Sequence, residues 1–343
     1  MKIAFIGGGT LGSVSPLLAV ANTYDRSEAI WIGTHDGVER PYVEKLGIRF
    51  FDVPSYRLRR FFSLSNITHL PKIALAYFKA SRILEKEQIE VIIGAGSFVQ
   101  VPVFYSASRR AIRSYILQLD IQEGLANKLC KRWATAIFSA THHTLGHKNI
   151  QMTGIPVLNT EDKNSFAFLK KSTLPTALVL GGSTGSQWLN KFVLQESKKL
   201  LQTMNIIHFQ GNINRTIKMP EMLAPGKYIT YSNAPLELVH DAMRIAQCAV
   251  SRAGMSTIAE LSYYGVPAIL VPIPKSHQVY NAQYCKDMDC AELFNQEEGF
   301  ADLRIRLSKL SRNKIDRDTY RDHCRRVFPH DAINRIRAGL GNL

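Results

Sequence analysis

The sequence has no paired cysteines. Its five cysteines are odd in number and scattered, and none stands in a Cys-x-x-Cys pair. Neither a disulfide framework nor a thiolate zinc site is therefore indicated, and we interpret these residues as thiols of a cytosolic protein. The five positions are Cys130, Cys248, Cys285, Cys290 and Cys324.

Long apolar runs are also missing. The opening MKIAFIGGG carries one Lys and a short apolar run that ends in glycines, which is typical of a buried first strand rather than of a signal peptide. No later run reaches the roughly 18 to 20 apolar residues that a membrane-spanning helix needs. We expect a protein that is neither exported nor membrane-spanning.

Acidic residues are scarce relative to basic ones. The formal net charge is +15 and the pI about 9.6, which predicts an anionic partner such as nucleic acid, acidic lipid headgroups or a phosphorylated substrate. Ten Lys and Arg against three Glu lie between Arg57 and Arg113. Apolar residues interleave with these charges, a pattern that predicts contact with an anionic membrane surface. An ordinary amphipathic helix with a solvated face is the alternative. The apolar residues include Phe61, Phe62, Ile73, Leu75, Tyr77 and Phe78.

What the sequence does contain is a repeated strand, glycine loop and helix. With 343 residues and 45% hydrophobic content, two domains are the default. Three apolar runs lead into glycine-bearing loops and helix-period segments: KIAFIGGGTLGS, TALVLGGSTGS and CAVSRAGMSTIAEL. This alternation predicts α/β domains with parallel sheets, and the similarity of the first two units predicts two doubly wound domains in tandem. A turn-rich stretch at 154–175 marks their boundary.

Further strands are predicted where short apolar runs lie between helix-length stretches. Pro329 separates Phe328 from a final basic helix. The strand candidates are 29–33, 91–94, 115–119, 136–139, 206–210, 248–251 and 268–272.

The first loop contains a literal GxGxxG at Gly7, Gly9 and Gly12, in which backbone N–H groups and a helix dipole can meet a phosphate. A nicotinamide cofactor would need an acidic residue at the end of the second strand, and in WIGTHDG Asp36 arrives late. The spacing therefore does not favour a dehydrogenase.

The second and third loops suit a nucleoside diphosphate. Hydroxyls and N–H groups of Ser183, Thr184 and Ser186 can hold a diphosphate, although a structural tight turn would use the same glycines. In the third loop, Gly254 precedes a helix whose free N–H groups point toward the ends of the strands. Glu260, one turn further on, can accept two ribose hydroxyls or can simply stabilise the start of the helix.

Gln278 and Asn281 lie three residues apart on one helix face after the strand AILVPIP. Amides both donate and accept hydrogen bonds, which suits sugar hydroxyls, and a solvated polar face is the alternative. The run THHTLGH places three histidines together, but Gly146 interrupts them and no carboxylate is near. We predict a loop there, and no metal site.

Taken together, these strings resemble the MurG family of bacterial glycosyltransferases, which add N-acetylglucosamine to undecaprenyl-diphosphate-linked muramoyl-pentapeptide. The family pattern SRAGxxTxxEL, GxPaiLvP and Gln before NA is met by 251–261, 265–272 and 278–282, and its GGSQGAxxLN by GGSTGSQWLN. The resemblance identifies a divergent member with the GT-B architecture, two Rossmann-like domains facing a central cleft. It implies an acceptor and membrane-side domain of 1–155 with the final helix at about 328–343, and a UDP-sugar donor domain of 156–327.

The resemblance also implies roles for individual residues. Arg252 and Glu260 would flank the uridine, with Glu260 on the ribose, while Gln278 and Asn281 would bind the amino sugar. Backbone groups near the diphosphate and sugar would come from two loops. Those donor residues are Ser183, Thr184, Gly185, Gly254, Met255 and Ser256; the acceptor residues would be Thr10, Gly12, Ser13 and Asn127.

The chain departs from the family mainly in its first half. Ser13 replaces a histidine expected near the reacting phosphates, and Leu11 replaces a glycine. Leu117 to Asp120 stand where the family has HEQN, and Leu158 replaces the arginine of GNPVR. Asp120 is consequently the leading candidate for the base, with His277 behind it and Ser13 at the reacting centre.

The resemblance implies an inverting transfer from UDP-N-acetylglucosamine, at the cytoplasmic face of the inner membrane, within peptidoglycan synthesis. Helix N-termini can hold the departing UDP, so no tightly bound cofactor or divalent cation is expected. No nucleic acid partner is expected either. Two alternatives remain open: a transferase with another donor or acceptor, and a catalytically weakened UDP-sugar-binding protein.

Overall fold

The computed structural model describes residues 1–54, 70–141, 147–182, 184–211, 224–232, 234–312, 319, 322–324 and 326–341. The chain divides into two compact units, one comprising Met1–Leu158 with His330–Leu343 and the other Asn159–Pro329. The boundaries suggested by the sequence lie after residues 155 and 327.

The first unit is built on a seven-stranded parallel sheet. Its strands follow the order β3-β2-β1-β4-β5-β6-β7, so the direction in which strands are added reverses between β1 and β4. In the register of β1 with its two neighbours, Ile3 lies opposite Ala29 of β2 on one side and opposite Val91 of β4 on the other. The strands are β1 Ile3–Ile6, β2 Ala29–Gly33, β3 Arg49–Asp52, β4 Val91–Gly94, β5 Arg113–Gln118, β6 Ala136–Ser139 and β7 Ile150–Met152.

Helices connect these strands and cover the sheet. A parallel sheet covered on both faces needs strands that are apolar throughout, and β1 and β4 are buried at every residue. The guanidinium of Arg337 on the last helix lies 5.4 Å from the centre of the Tyr24 ring, which joins the chain's end to this unit. The helices are α1 Leu11–Ala21, α2 Arg40–Lys45, α3 Leu70–Lys86, α4 Gln100–Ser108, α5 Leu125–Cys130 and α11 Ala332–Gly341.

The second unit repeats the plan with six parallel strands in the order β10-β9-β8-β11-β12-β13. Here the reversal falls between β8 and β11, which pair directly from Cys248 opposite Ala177 to Ser251 opposite Leu180. The strands are β8 Thr176–Leu180, β9 Asn205–Phe209, β10 Tyr228–Tyr231, β11 Cys248–Ser251, β12 Ala268–Leu270 and β13 Glu292–Leu293; the helices are α6 Gln187–Leu200, α7 Leu236–Ile245, α8 Met255–Tyr263, α9 Gln278–Asp287 and α10 Phe300–Arg312.

These sheets confirm the predicted α/β class of two doubly wound, Rossmann-like domains. All seven additional strand candidates are present, with ends that differ by up to two residues. Four strands that the sequence did not predict complete the sheets: β3, β7, β10 and β13. Among the helices that the structure describes, none has both the length and the apolar content required to cross a membrane.

Candidate active site

The second and third glycine-bearing loops meet at the reversal of strand order in the second unit. Gly181 follows β8 and Arg252 follows β11, and these two strands are neighbours in the sheet. The backbone N–H of Arg252 donates to Leu180 O at 3.1 Å, which ties the start of one loop to the end of the other strand. Ligands of doubly wound sheets bind at this position, outside the carboxyl ends of the strands.

The second loop is a tight turn with no room for side chains on its inner face. Gly182 and Gly185 both have φ of +80°, and the N–H of Gly185 donates to Gly182 O at 3.0 Å. A Cβ on Gly211, at the end of β9, would lie 2.2 Å from the Gly185 Cα. Backbone therefore packs directly on backbone here, and sequence reasoning missed Gly211 because no motif includes it. Thr184 is exposed at the turn.

Ser183, predicted to bind the donor, lies outside the described residues. Ser186 instead has a structural role: its side chain is buried and accepts a hydrogen bond from the Leu189 N–H as the N-cap of α6. The first turn of α6 contains no acidic residue. The positive end of its dipole is therefore not neutralised locally, which favours an anion in front of the loop.

A buried hydrogen-bonded network supports the loop from below. His208 on β9 accepts from the Tyr228 hydroxyl through Nδ1 and donates to Asn190 Oδ1 through Nε2, both at 3.0 Å. Asn190 Nδ2 in turn contacts Gln210 O at 3.4 Å. Burial lowers the pKa of His208 from 6.5 to about 4, so the ring is neutral and can accept the hydroxyl proton.

Stability should depend on pH through His208. The folded-state pKa is below the unfolded one, so between pH 6.5 and 4 the unfolded chain binds more protons. The contribution of His208 to the free energy of unfolding is complete above pH 6.5 and falls by about 3 kcal/mol as the pH drops to 4. We expect urea unfolding of His208→Gln to show a flatter pH profile over this range. The same substitution at exposed His35 is the control, and matching slopes for wild type and His208→Gln would contradict the prediction.

The third loop leads into α8 without a capping side chain. Gly254 is the N-cap residue, no side chain accepts a capping hydrogen bond, and the first turn of α8 has no acidic residue. A Cβ on Gly254 would meet no atom within 4 Å, so the space in front of the helix is open. Met255 and Ser256 are buried behind this opening. A helix N-terminus exposed in this way can accept an anion.

Arg252 adds a buried positive charge beside this opening. Its Nη1 donates to Val271 O at 2.9 Å and Pro272 O at 3.3 Å, at the end of β12. Within the described part of the chain, its Nε has no hydrogen-bond partner and no carboxylate forms an ion pair with it. Burial lowers the pKa of Arg252 to about 10, so the guanidinium remains charged at neutral pH. An incoming phosphate would supply the missing countercharge.

Glu260 lies on α8 and is nearly buried, with its Oε1 3.9 Å from Nε2 of His240 on α7. The sequence had pointed to Glu260 but not to His240.

The two predicted sugar amides differ in their surroundings. Gln278 is half-buried and its Oε1 accepts from the Ile273 N–H at 3.2 Å. Asn281 is fully buried and donates to Ala253 O at 3.0 Å, so it holds the third loop in place.

The first loop, in the first unit, carries the predicted acceptor residues. Thr10 is the exposed N-cap of α1 and makes no side-chain capping bond, while Gly12 is exposed. The Ser13 hydroxyl donates to Thr10 O at 3.3 Å. Beneath the loop lies Glu39, fully buried, whose carboxylate accepts from the Gly9 N–H at 3.3 Å. No sequence motif had indicated Glu39.

Asn127 lies in a buried chain of amides at the ends of β4 and β5. Its Oδ1 accepts from Gln100 Nε2 at 3.0 Å and its Nδ2 donates to Gln118 Oε1 at 2.6 Å. Gln118 Nε2 then donates to the backbone carbonyl of Asp120 at 2.6 Å, which fixes the loop carrying the candidate base. The alternative candidate, His277, is the exposed N-cap residue of α9 in the other unit.

No cluster of three or more metal-binding side chains occurs among the described residues. His147 lies beside Asn149 and Ala134 O, while His142 and His143 fall outside the described ranges. A cavity of about 590 Å³ lies elsewhere in the second unit, near Thr176 and Gln247 at the amino ends of β8 and β11. It contains none of the predicted donor residues.

The fold and these loops define a two-domain, Rossmann-type nucleotide-sugar glycosyltransferase. The glycosyltransferase family 28 N-terminal domain matches residues 3–139 and the family 28 C-terminal domain matches residues 176–335. The chain belongs to glycosyltransferase family 28.

Individual relatives are consistent with this membership. The chain is 31% identical over 336 residues to the UDP-N-acetylglucosamine--N-acetylmuramyl-(pentapeptide) pyrophosphoryl-undecaprenol N-acetylglucosamine transferase of Clostridium tetani, covering 93% of this chain and 91% of that protein. The crystal structure of Acinetobacter baumannii MurG matches with a TM-score of 0.70 at 21% identity, over 98% of this chain and 99% of that one. The Streptomyces sp. SF2575 glycosyltransferase SsfS6, complexed with thymidine diphosphate, matches with a TM-score of 0.69 at 13% identity. The match covers 99% of this chain and 100% of that one.

Proposed function

We propose that this chain transfers N-acetylglucosamine from UDP-N-acetylglucosamine to a polyprenyl-diphosphate-linked muramoyl-pentapeptide, with inversion at the sugar carbon. The relationship to the Clostridium tetani enzyme over nearly the whole chain favours this donor and this acceptor. The reaction would belong to peptidoglycan synthesis. The second unit is the proposed donor domain and the first unit the acceptor domain.

The observation that carries the proposal is the pair of helix N-termini at the strand-order reversal. Two helix N-termini without acidic residues, those of α6 and α8, follow adjacent strands. The buried guanidinium of Arg252 lies between the end of β11 and the end of β12. A diphosphate placed there would receive dipolar N–H groups and a full positive charge. Such preorganised groups stabilise a departing UDP without a bound metal.

The remaining residues take the roles that this placement allows. Glu260 would accept the ribose hydroxyls, and Gln278 would contact the amino sugar while Asn281 braces the third loop. The acceptor hydroxyl loses a proton as the new bond forms, and Asp120 is the proposed base because Ser13 has no basic nitrogen. His277 is the second candidate for that proton.

The direct test is transfer of radiolabelled N-acetylglucosamine from UDP to a polyprenyl-diphosphate-linked muramoyl-pentapeptide in detergent. We expect a labelled lipid product from the wild type and a reduced kcat for Asp120→Asn, whose UDP affinity should be unchanged. Wild-type protein that binds UDP but forms no product with this acceptor would contradict the proposal.

Two alternatives have support in the first half of the sequence, where Ser13 and Leu158 depart from the family pattern. A transferase with a different sugar or acceptor would prefer another UDP-sugar in a donor screen. A weakened UDP-sugar-binding protein would bind UDP tightly, show no turnover and be unaffected by Asp120→Asn.

Helix α3 is the proposed contact with the cytoplasmic face of the inner membrane. Leu75 and Phe78 are 59% and 66% exposed, and the next residue on the same stripe is the exposed Arg82. Tyr105 on α4 adds another exposed ring, 43% accessible. The opposite stripe of α3 is buried in the core, so the helix has apolar residues on two sides. Arg57, Arg59, Arg60, Phe61 and Phe62 of this segment fall outside the described residues.

Replacing Leu75 and Phe78 together by Ser should weaken binding to vesicles containing phosphatidylglycerol by about tenfold, because two inserting side chains are lost. Sedimentation with the vesicles measures the bound fraction. The control is Leu194→Ser with Ile305→Ser, two exposed apolar residues of the second unit. Equal losses for both pairs would rule out a specific contact through α3.

A further inference from the structure

His240 is a buried histidine that uses only one of its ring nitrogens. Its Nδ1 lies 3.0 Å from the Thr160 hydroxyl, and the side chain is completely inaccessible to solvent. Its Nε2 makes no hydrogen bond with any described residue, and the Glu260 carboxylate is 3.9 Å away. Leaving a buried polar nitrogen without a partner costs stability, so the position calls for a functional reason.

The imidazole is held from several sides. The ring centre of Tyr264 lies 5.1 Å from that of His240, and the Arg244 guanidinium lies 5.1 Å from the centre of the same Tyr264 ring. Arg244 also forms an ion pair with Asp241 at 2.8 Å, and Asp241 accepts from the Ser165 hydroxyl at 2.6 Å. These contacts fix α7 against the segment that carries Thr160. The imidazole itself contacts Thr160 through Nδ1 and faces Glu260 with Nε2.

We propose that His240 is a positioning residue for Glu260, acting through a Thr160, His240 and Glu260 chain of hydrogen bonds. In this chain of contacts the Thr160 hydroxyl, 3.0 Å from Nδ1, would donate to that nitrogen, which would place the ring proton on Nε2, facing Glu260 Oε1. A contact about 1 Å shorter than the present 3.9 Å between Nε2 and Oε1 would be a hydrogen bond. This hydrogen bond would form when the UDP-sugar draws the Glu260 carboxylate toward His240. It would then hold the carboxylate in the orientation that receives the ribose hydroxyls. The inference rests on the proposed ribose-binding role of Glu260.

The first experiment reads the tautomer of His240 by nitrogen-15 NMR of histidine-labelled wild-type protein, assigned by comparison with His240→Gln. A ring with its proton on Nε2 and none on Nδ1 supports the proposal, because Nε2 can then donate to Glu260 while Nδ1 accepts from Thr160. A proton on Nδ1, alone or with a second on Nε2, overturns it. This result requires neither UDP nor turnover.

The second experiment measures affinity for UDP and for 2′-deoxy-UDP by calorimetry in wild type, His240→Asn, Glu260→Ala and the double variant. His240→Asn retains an amide near Thr160 but cannot reach Glu260, and should lower UDP affinity about tenfold. Its effect should disappear in the Glu260→Ala background. Independent effects of the two substitutions would overturn the proposal, because a purely structural histidine does not couple to the ribose hydroxyl.

The conservative variant gives a third readout. A Gln side chain places its amide nitrogen near the position of Nε2, so His240→Gln should retain most of the affinity that His240→Asn loses. In transfer assays, the KM for the donor should rise in His240→Asn while kcat is preserved. Equal affinities for the two variants would contradict the proposal. If wild-type protein does not bind UDP, the proposed function fails, and the tautomer still decides whether His240 and Glu260 act together.

Discussion

Gly211→Ala should destabilise the second unit by about 3 kcal/mol and weaken UDP binding at least tenfold. Gly211 has φ of +78°, which costs an alanine about 1 kcal/mol or more. The added Cβ would also lie 2.2 Å from Gly185 Cα and 2.3 Å from Gly185 N, so the two loops must separate. Gly185 belongs to the turn that faces the proposed diphosphate. Urea unfolding measures the stability and calorimetry with UDP the affinity.

Two other glycines separate the causes of this effect. Gly182 also has a positive φ, but a Cβ there would meet no atom within 4 Å. Gly182→Ala should therefore be destabilised only by the cost of placing alanine in that backbone conformation. Gly254 has φ of −79° and open space around its Cβ, so Gly254→Ala should lose only the N-cap preference for glycine over alanine, about 1 kcal/mol or less. It should nevertheless bind UDP more weakly, because the methyl group occupies the approach to the α8 N-terminus. Equal stability of Gly211→Ala and Gly182→Ala would show that the loops do not pack as described.

Glu260→Ala should lower UDP affinity about 100-fold. Two ribose hydroxyls donating to one carboxylate are charge-assisted hydrogen bonds, each worth about 1.5 kcal/mol or more. Calorimetry with 2′-deoxy-UDP tests this assignment directly. Wild type should bind the deoxy ligand more weakly than UDP, whereas the variant should not discriminate between them.

The control for Glu260→Ala is Glu297→Ala, which removes an exposed carboxylate from the same unit. It changes the net charge equally and should leave UDP affinity unaltered. If Glu260→Ala binds UDP like wild type, the placement of the ribose beside α8 is wrong. If both variants lose affinity to the same extent, the effect is one of overall charge.

The predicted strands were those whose apolar runs are visible in the sequence. The centre of each sheet is buried on both faces, so strands such as β4 and β11 consist of apolar or small residues throughout. The four that were missed, β3, β7, β10 and β13, are the edge strands of the two sheets. Their residues are mostly half-buried, and an edge strand does not need a continuous apolar run. Nothing in their local sequence separates them from loops.

The site divides in the same way. The order of strand, glycine and helix N-terminus identified the two loops of the second unit, since each loop's chemistry lies within a few consecutive residues. Residues that support those loops from elsewhere in the chain could not be found this way. His208 lies on β9 and Gly211 follows that strand. Only the parallel pairing of β9 with β8 brings both residues to the second loop. Asn281 was predicted to bind sugar, and the fold shows its amide engaged with Ala253 O.

The amino-acid sequence alone therefore determined the class of fold, the positions of the glycine-bearing loops and the family resemblance, because each is written in short contiguous runs of residues. The tertiary structure decided which strands close the sheets, which amides are braces, and which buried groups face one another across helices, as His240 faces Glu260. Those relations depend on pairing between segments as far apart as Thr160 and His240. Their energies come from burial and desolvation, which exist only once the chain is packed.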